Sequence, residues 1–115
     1  MAGEKTRVMN IKEGMPTVDE ARRRLIRELE RAKKDGVKVV KIIHGYGSTG
    51  VGGKIKDGVR KSLRRRKSEG VINLFVYGEN WSVFDADTRE ILERCPALSR
   101  ERDIEGNEGV TVVLL

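Results

Sequence analysis

Cysteine, histidine, proline and aromatic side chains are all scarce in this 115-residue chain. Cys95 and His44 are the only residues of their types, so neither a disulfide framework nor a Cys/His zinc site can form within one chain. No apolar run approaches the roughly 18 residues of a transmembrane helix, and the first residues lack the apolar region of a secretory signal. We therefore expect a cytoplasmic protein with no membrane partner.

Aromatic residues make up only 4% of the chain, and three of them fall between residues 77 and 84. In this group we expect Phe84 to pack a short helix against the core. Tyr46 has mostly glycines and small residues around it, so it is the better candidate for stacking on a base. Cys95 is expected to be a partly buried small hydrophobe.

Charge is plentiful but unevenly distributed along the chain. Residues 1–77 hold 20 Lys and Arg against 9 Asp and Glu, net +11, whereas residues 78–115 hold 4 against 9, net −5. Hydrophobic residues equal charged ones at 37%, which indicates a heavily charged surface around a modest core and differs from the low hydrophobicity of a disordered chain. A basic body with an acidic C-terminal part indicates a polyanion-binding face, although a solvated charged surface would also fit.

The pattern of apolar residues predicts one α/β domain. Val8, Met9 and Ile11 indicate a first strand. Thr17 and Glu20 form a capping box that starts a helix at Val18. Strands are expected at 37–43, 71–77 and 110–115, a basic helix ends near Arg66, and a short helix spans 86–94 with Asp85 as its N-cap.

Residues 45–53 between the second strand and the basic helix contain five glycines. Glycine exposes its backbone N–H and tolerates positive φ, so such a loop can direct several donors, and the positive end of the next helix, at one phosphate. A strand, this loop, the basic helix and a third strand would form a right-handed crossover unit, which places the loop at the carboxyl ends of the strands.

Two nucleotide-binding motifs fit this loop poorly. The spacing Gly45-x-Gly47-x-x-Gly50 matches a dinucleotide fingerprint, but no acidic residue follows at the end of the next strand, and the chain is too short for two mononucleotide halves. A P-loop would need Ser or Thr after Lys54, where Ile55 stands.

Three stretches together resemble the Smr (small MutS-related) domain family over nearly the whole chain: 17–21, the 42–50 stretch with its His-Gly-x-Gly signature, and 109–114. The resemblance implies a single-domain, two-layer β-α-β-α-β-(α)-β sandwich with a mixed sheet of about four strands, similar to the C-terminal domain of translation initiation factor three. Family members bind nucleic acid, and several cleave DNA or RNA. On this reading residues 1–115 are one domain in which 78–108 is an inserted helical segment.

The first motif of that family, Leu-Asp-x-His-Gly, is altered in this chain. Residues 9–14 read Met-Asn-Ile-Lys-Glu-Gly, with Asn10 opposite the aspartate and Lys12 or Glu13 opposite the histidine. The acid and histidine thought to serve catalysis in the family are therefore missing or replaced.

Three hypotheses follow from the loop, the charge and the resemblance. The first is a DNA- or RNA-binding module, in repair and recombination or in RNA and ribosome quality control, without a cofactor. The second is an endonuclease that uses His44 as acid or base and Glu13 or Asp85 as the carboxylate, with a divalent metal. The third is a small nucleotide- or anion-binding module.

His44 serves equally well, on sequence grounds, as a hydrogen-bonding residue that shapes the loop. A second copy of the chain is a further candidate partner. The residues expected to bind phosphate or nucleic acid are Lys12, Gly45, Tyr46, Gly47, Ser48, Gly50, Gly52, Gly53, Lys54, Lys56, Arg60 and Arg64.

Overall fold

Four strands and three helices form the regular framework of the protein, whose computed structural model describes residues 6–46 and 50–115. In chain order they are β1 (Thr6–Asn10), α1 (Val18–Lys34), β2 (Val39–Ile43), α2 (Gly50–Ser68), β3 (Leu74–Tyr77), α3 (Ala86–Arg94) and β4 (Val110–Leu114). Short 3₁₀ turns follow β3 and α3, at Gly78–Asn80 and Pro96–Arg100. None of the described helices is both long enough and apolar enough to span a membrane.

The sheet has the order β1-β2-β4-β3 and is mixed. β1 and β2 are parallel, whereas β4 is antiparallel to both β2 and β3. β2 and β3 therefore run parallel to each other, as a crossover unit requires, with β4 between them. Every residue of β4 is buried, which suits an inner position, while the edge strand β3 leaves Phe75 and Tyr77 only half-buried.

Two hydrophobic clusters cover the two faces of the sheet. One lies between the sheet and the helices α1 and α2, with Leu25 and Leu63 among its fully buried members. The other lies beneath α3 and the following 3₁₀ turn, where Ile91 and Leu98 pack on the sheet. The predicted α/β fold with one four-stranded mixed sheet is confirmed. The 78–108 segment covers the second face of the sheet, so it adds a third, partial layer to the two layers that were predicted.

The predicted helix signals around α1 and α3 are present. The Thr17 hydroxyl accepts from the Glu20 N–H at 3.1 Å, and Glu20 accepts from the Thr17 N–H at 2.8 Å, which completes the capping box. Asp85 caps α3 by accepting from the Thr88 N–H at 2.8 Å. Each pair satisfies backbone donors that the first turn of a helix leaves free.

Three local predictions were wrong. α2 begins at Gly50, so the later loop glycines are helical. β3 starts at Leu74 instead of Val71, which is exposed and lies beyond the end of α2. Phe84 is 89% exposed, and the aromatic residue of this segment that packs in the core is Trp81, three residues earlier. Cys95 is buried, whereas only partial burial was expected.

A buried lysine ties the C-terminal segment to the sheet. Lys41 of β2 donates to Glu101 at 2.6 Å and to Asp103 at 2.9 Å. Burial alone lowers the pKa of the Lys41 ammonium, but the hydrogen bonds with the two carboxylates outweigh burial and raise that pKa. The acidic segment therefore stays against the sheet on the face opposite α1 and α2.

Gly58 offers a test of the packing between α1 and α2. A Cβ built there would lie 3.6 Å from Val18 Cγ1 and 3.8 Å from Arg22 Cγ, which are ordinary contacts. Alanine is favoured over glycine inside a helix by about 1 kcal/mol. We expect Gly58→Ala to raise the free energy of unfolding by about 0.5–1 kcal/mol in urea denaturation. A decrease would mean that the two helices are packed more tightly than this geometry shows.

Candidate functional site

The turn after β2 is held by the residue just before β4. Gly45 has a φ of +81°, a conformation that favours glycine. The backbone N–H groups of His44 and Gly45 both donate to the carbonyl of Gly109, at 2.9 and 3.1 Å. Gly109 in turn donates its N–H to Asn107 Oδ1 at 2.8 Å. The start of the glycine loop is thus fixed to the end of the sheet by residues far along the chain.

His44 is buried beneath this turn, with both ring nitrogens engaged. Nδ1 lies 3.0 Å from the Gly45 carbonyl, which can only accept, so Nδ1 carries the proton. Nε2, 2.9 Å from the Thr111 hydroxyl, then accepts from that hydroxyl. Burial lowers the pKa of His44 to about 4, and the charges of Arg60 and Lys56 contribute further. At neutral pH the side chain is an uncharged imidazole that braces the loop.

Lys12 lies directly against the first glycine of the loop. Its Cδ would be 3.2 Å from a Cβ added at Gly45. Lys12 itself is exposed, and Tyr46, the residue after Gly45, is 60% exposed. Lys12 and Gly45, both expected to bind phosphate, therefore lie side by side, and their binding role stays a prediction. Gly47 and Ser48 lie outside the described residues.

The first turns of α2 contain the remaining loop glycines, Gly50, Gly52 and Gly53, followed by Lys54. No acidic residue stands in the first turn. A helix N-terminus carries a partial positive charge that acidic side chains often offset, and here nothing in that turn offsets it. Lys54 is exposed and makes no ion pair with any described residue.

On the side of α2 that faces β3, the predicted binding residues already have partners. Lys56 pairs with Glu108 at 3.0 Å. Arg60 donates to both carboxylate oxygens of Glu79 at 2.7 Å, and its guanidinium lies 3.8 Å from the Tyr77 ring centroid. Arg64 donates to the Tyr77 hydroxyl at 3.2 Å.

The pKa of Glu79 reflects its pairing. Burial raises that pKa, but the hydrogen bond from Arg60 and the charges of Arg60 and Lys56 outweigh burial and lower it. Glu79 is therefore a carboxylate at neutral pH, and it neutralises Arg60.

The opposite side of α2 forms a groove with α1 that the sequence analysis did not single out. Its lining residues are mostly basic: Arg22, Ile26, Gly58, Lys61, Ser62, Arg65, Arg66 and Glu69. Helical spacing alone assigns the basic residues of α2 to two sides of the helix. The sequence does not show which element packs against each side, so it does not show which side keeps unpaired charge.

The two carboxylates proposed for catalysis are placed elsewhere. The backbone carbonyl of Glu13 accepts from Arg24 at 2.8 Å, and Glu13 lines a cleft beside β1 and α1. Asp85 caps α3, which covers the other face of the sheet. Neither is hydrogen-bonded to His44. Within residues 6–46 and 50–115, no group of three or more His, Cys, Asp or Glu residues is arranged to hold a metal ion.

Comparison with known proteins identifies the family of this fold. Curated protein sequences give no significant match. The chain resembles the crystal structure of the Smr domain of Thermus thermophilus MutS2, with 25% sequence identity, a TM-score of 0.56 and 96% of each chain covered. The Smr domain model matches residues 13–75, more than half of the sequence, and the match begins within the altered first motif at residues 9–14. The chain therefore belongs to the Smr domain family.

Proposed function

We propose that this protein is a nucleic-acid-binding module that holds a backbone phosphate at the glycine loop and the start of α2. The observation that carries the proposal is the N-terminus of α2. It is the start of the most basic helix, it follows a loop braced by His44, and its first turn has no acidic side chain to offset the helix dipole. An anionic ligand would supply the missing charge.

Three exposed side chains belong to the loop and the start of α2 or lie against them: Lys12 against Gly45, Tyr46 directly after it, and Lys54 in α2. Lys12 and Lys54 would contact neighbouring phosphates, and Tyr46 offers an exposed ring for a base. Weaker contacts would come from Lys56, Arg60 and Arg64, because each must first give up its partner on the β3 side of α2. Phosphate contacts of this kind bind without sequence preference and depend strongly on salt.

Binding, rather than cleavage, is the function that this geometry favours. A general acid or base must reach the proton that it transfers, and it works best with a pKa near the operating pH. His44 is 2% exposed, has a partner on each nitrogen and has a pKa of about 4. We assign it a positioning role for the loop, and the endonuclease hypothesis becomes an outcome of the binding experiment.

The proposal predicts that Lys12→Ala/Lys54→Ala weakens binding to a labelled 12-nucleotide strand at least about tenfold, if each charged contact contributes about 1 kcal/mol. The slope of log K against log salt should shrink by about 1.4, or about 0.7 for each lost contact to a single strand. Fluorescence anisotropy with DNA and with RNA, at several salt concentrations, measures both quantities.

Arg27→Ala/Lys34→Ala serves as the matched control, because it removes the same charge from exposed positions of α1. Equal weakening in the two variants would show that only net charge matters and would contradict the proposal. Gel analysis with and without divalent metal reports cleavage. Cleavage that is lost in His44→Ala would instead support the endonuclease hypothesis.

A further inference from the structure

The basic helix α2 has two unlike sides. On the side facing β3, Lys56, Arg60, Arg64 and Lys67 each meet a carboxylate or an aromatic ring. On the side facing α1, the carboxylates that pair with described groove cations are Asp19 of α1 and Glu69, the residue directly after α2. The groove there therefore keeps most of its positive charge for a ligand.

The polar contacts inside the groove are weak or local. Lys61 is exposed and has no ion pair within the described part of the chain. Arg65 is 76% exposed and pairs at 3.2 Å with Glu69, which is itself 51% exposed. Arg22 stands 4.0 Å from the exposed Asp19. Exposed pairs of this kind contribute little to stability, so an incoming phosphate can replace the carboxylate.

Arg66 is the anchored member of the set. Its guanidinium donates to Ser62 Oγ at 2.6 Å, and Ser62 is buried. At the other end of the groove, Gly58 has no side chain, and the stem of Arg22 lies along it. The groove thus has cations near both ends and an open floor at Gly58.

We propose that this groove is a second part of the nucleic-acid-binding surface and holds the backbone of the strand that leaves the glycine loop. The inference rests on the proposed function, because it extends the same ligand beyond the loop. It assigns binding roles to Arg22, Lys61, Arg65 and Arg66 ahead of the cations facing β3, which already have partners.

The length of α2 agrees with a strand that has the axial rise of a duplex. At 1.5 Å per residue, Gly58 lies about 12 Å along the helix from Gly50, and Glu69 lies about 16 Å beyond Gly58. One strand of a duplex places a phosphate about every 3.4 Å along its axis, so the groove is as long as about five phosphates. An isolated nucleotide at the loop would not reach it.

The groove variant, Lys61→Ala/Arg65→Ala, tests the inference. Its affinity is compared with that of the loop variant Lys12→Ala/Lys54→Ala and of the control variant Arg27→Ala/Lys34→Ala. Affinity is measured by anisotropy for single strands of 4, 8, 12 and 16 nucleotides. For the native protein we expect affinity to rise with length up to about 12 nucleotides. The groove variant should match the control on the 4-mer, and bind the 12-mer about tenfold more weakly, with a salt slope smaller by about 1.4.

The variants separate the two proposals. If the loop variant weakens binding while the groove variant behaves as the control at every length, the groove inference is wrong and the proposed function stands. If no strand binds the native protein, the proposed function fails, and the groove inference fails with it. If a poly-glutamate peptide of equal charge displaces the 12-mer as well as unlabelled 12-mer does, the groove recognises acidic peptide, and the inference is overturned. Circular dichroism confirms that each variant is folded.

Discussion

Replacing Gly78 by alanine should destabilise the protein by about 3 kcal/mol or more. A Cβ at this position would lie 2.0 Å from the carbonyl oxygen of Asn107 and 2.8 Å from that of Ile104. Both obstacles are backbone atoms, which cannot rotate away as the end of a side chain can. Overpacking typically costs about 1–3 kcal/mol, and values above that range mark a severe steric conflict.

The clash has a consequence for the loop. The Gly78 carbonyl accepts from the N–H groups of Trp81 and Gly106, at 3.1 and 2.9 Å, so this glycine seats the end of the C-terminal segment on β3. Displacing Asn107 also moves Gly109, whose carbonyl holds the turn after β2. We therefore expect weaker nucleic-acid binding by Gly78→Ala even under conditions in which it is folded.

Urea denaturation of Gly78→Ala and of Gly58→Ala compares the effects of the two substitutions on the free energy of unfolding. Both substitutions add one methyl group, but the second meets nothing closer than 3.6 Å. Opposite signs are expected, a large loss for Gly78→Ala and a small gain for Gly58→Ala. A loss below about 1 kcal/mol at Gly78 would show that the segment around residues 104–107 adapts easily, and would remove the structural link to the loop.

The elements around the site were predictable from sequence wherever a few neighbouring residues determine the local structure. The capping box at Thr17, the β-branched run of β2 and the break at His44-Gly45 each span a few residues, and each was read correctly from sequence. The start of α2 was placed too late because glycine has a low helix propensity. In the structure the helix begins at Gly50 all the same.

The partners of the site residues were not predictable, because they lie far away in sequence. Glu79 and Glu108 belong to the acidic C-terminal part of the chain, residues 78–115, and they pair with Arg60 and Lys56. Nothing in the sequence pairs them with Arg60 and Lys56 in particular. The position of β4 between β2 and β3 brings that segment next to one side of α2. Sheet order therefore decides which cations stay available, and the composition of α2 alone overstates them.

Stability should depend on pH through His44. Its pKa in the folded protein is about 4, against an ordinary value of 6.5, because the protein buries it as a neutral group. Between these values the unfolded chain binds more protons than the folded chain, so the free energy of unfolding rises with pH. The contribution of His44 is fully present above pH 6.5 and is lost as the pH falls towards 4. At about 1.4 kcal/mol per pH unit, it amounts to about 3 kcal/mol.

His44→Gln removes the titration while keeping a polar side chain beside Thr111. Urea denaturation of both proteins from pH 4 to pH 7 should show a steeper rise of stability in the native protein, although the variant is less stable at pH 7. Glu20 and Glu79, whose pKa values are also lowered, titrate in both proteins, so the difference between the two curves isolates the imidazole. Parallel curves would mean that His44 takes up a proton in the folded state near its ordinary pKa. The imidazole would then be accessible for acid–base chemistry, and the positioning role assigned to it would be wrong.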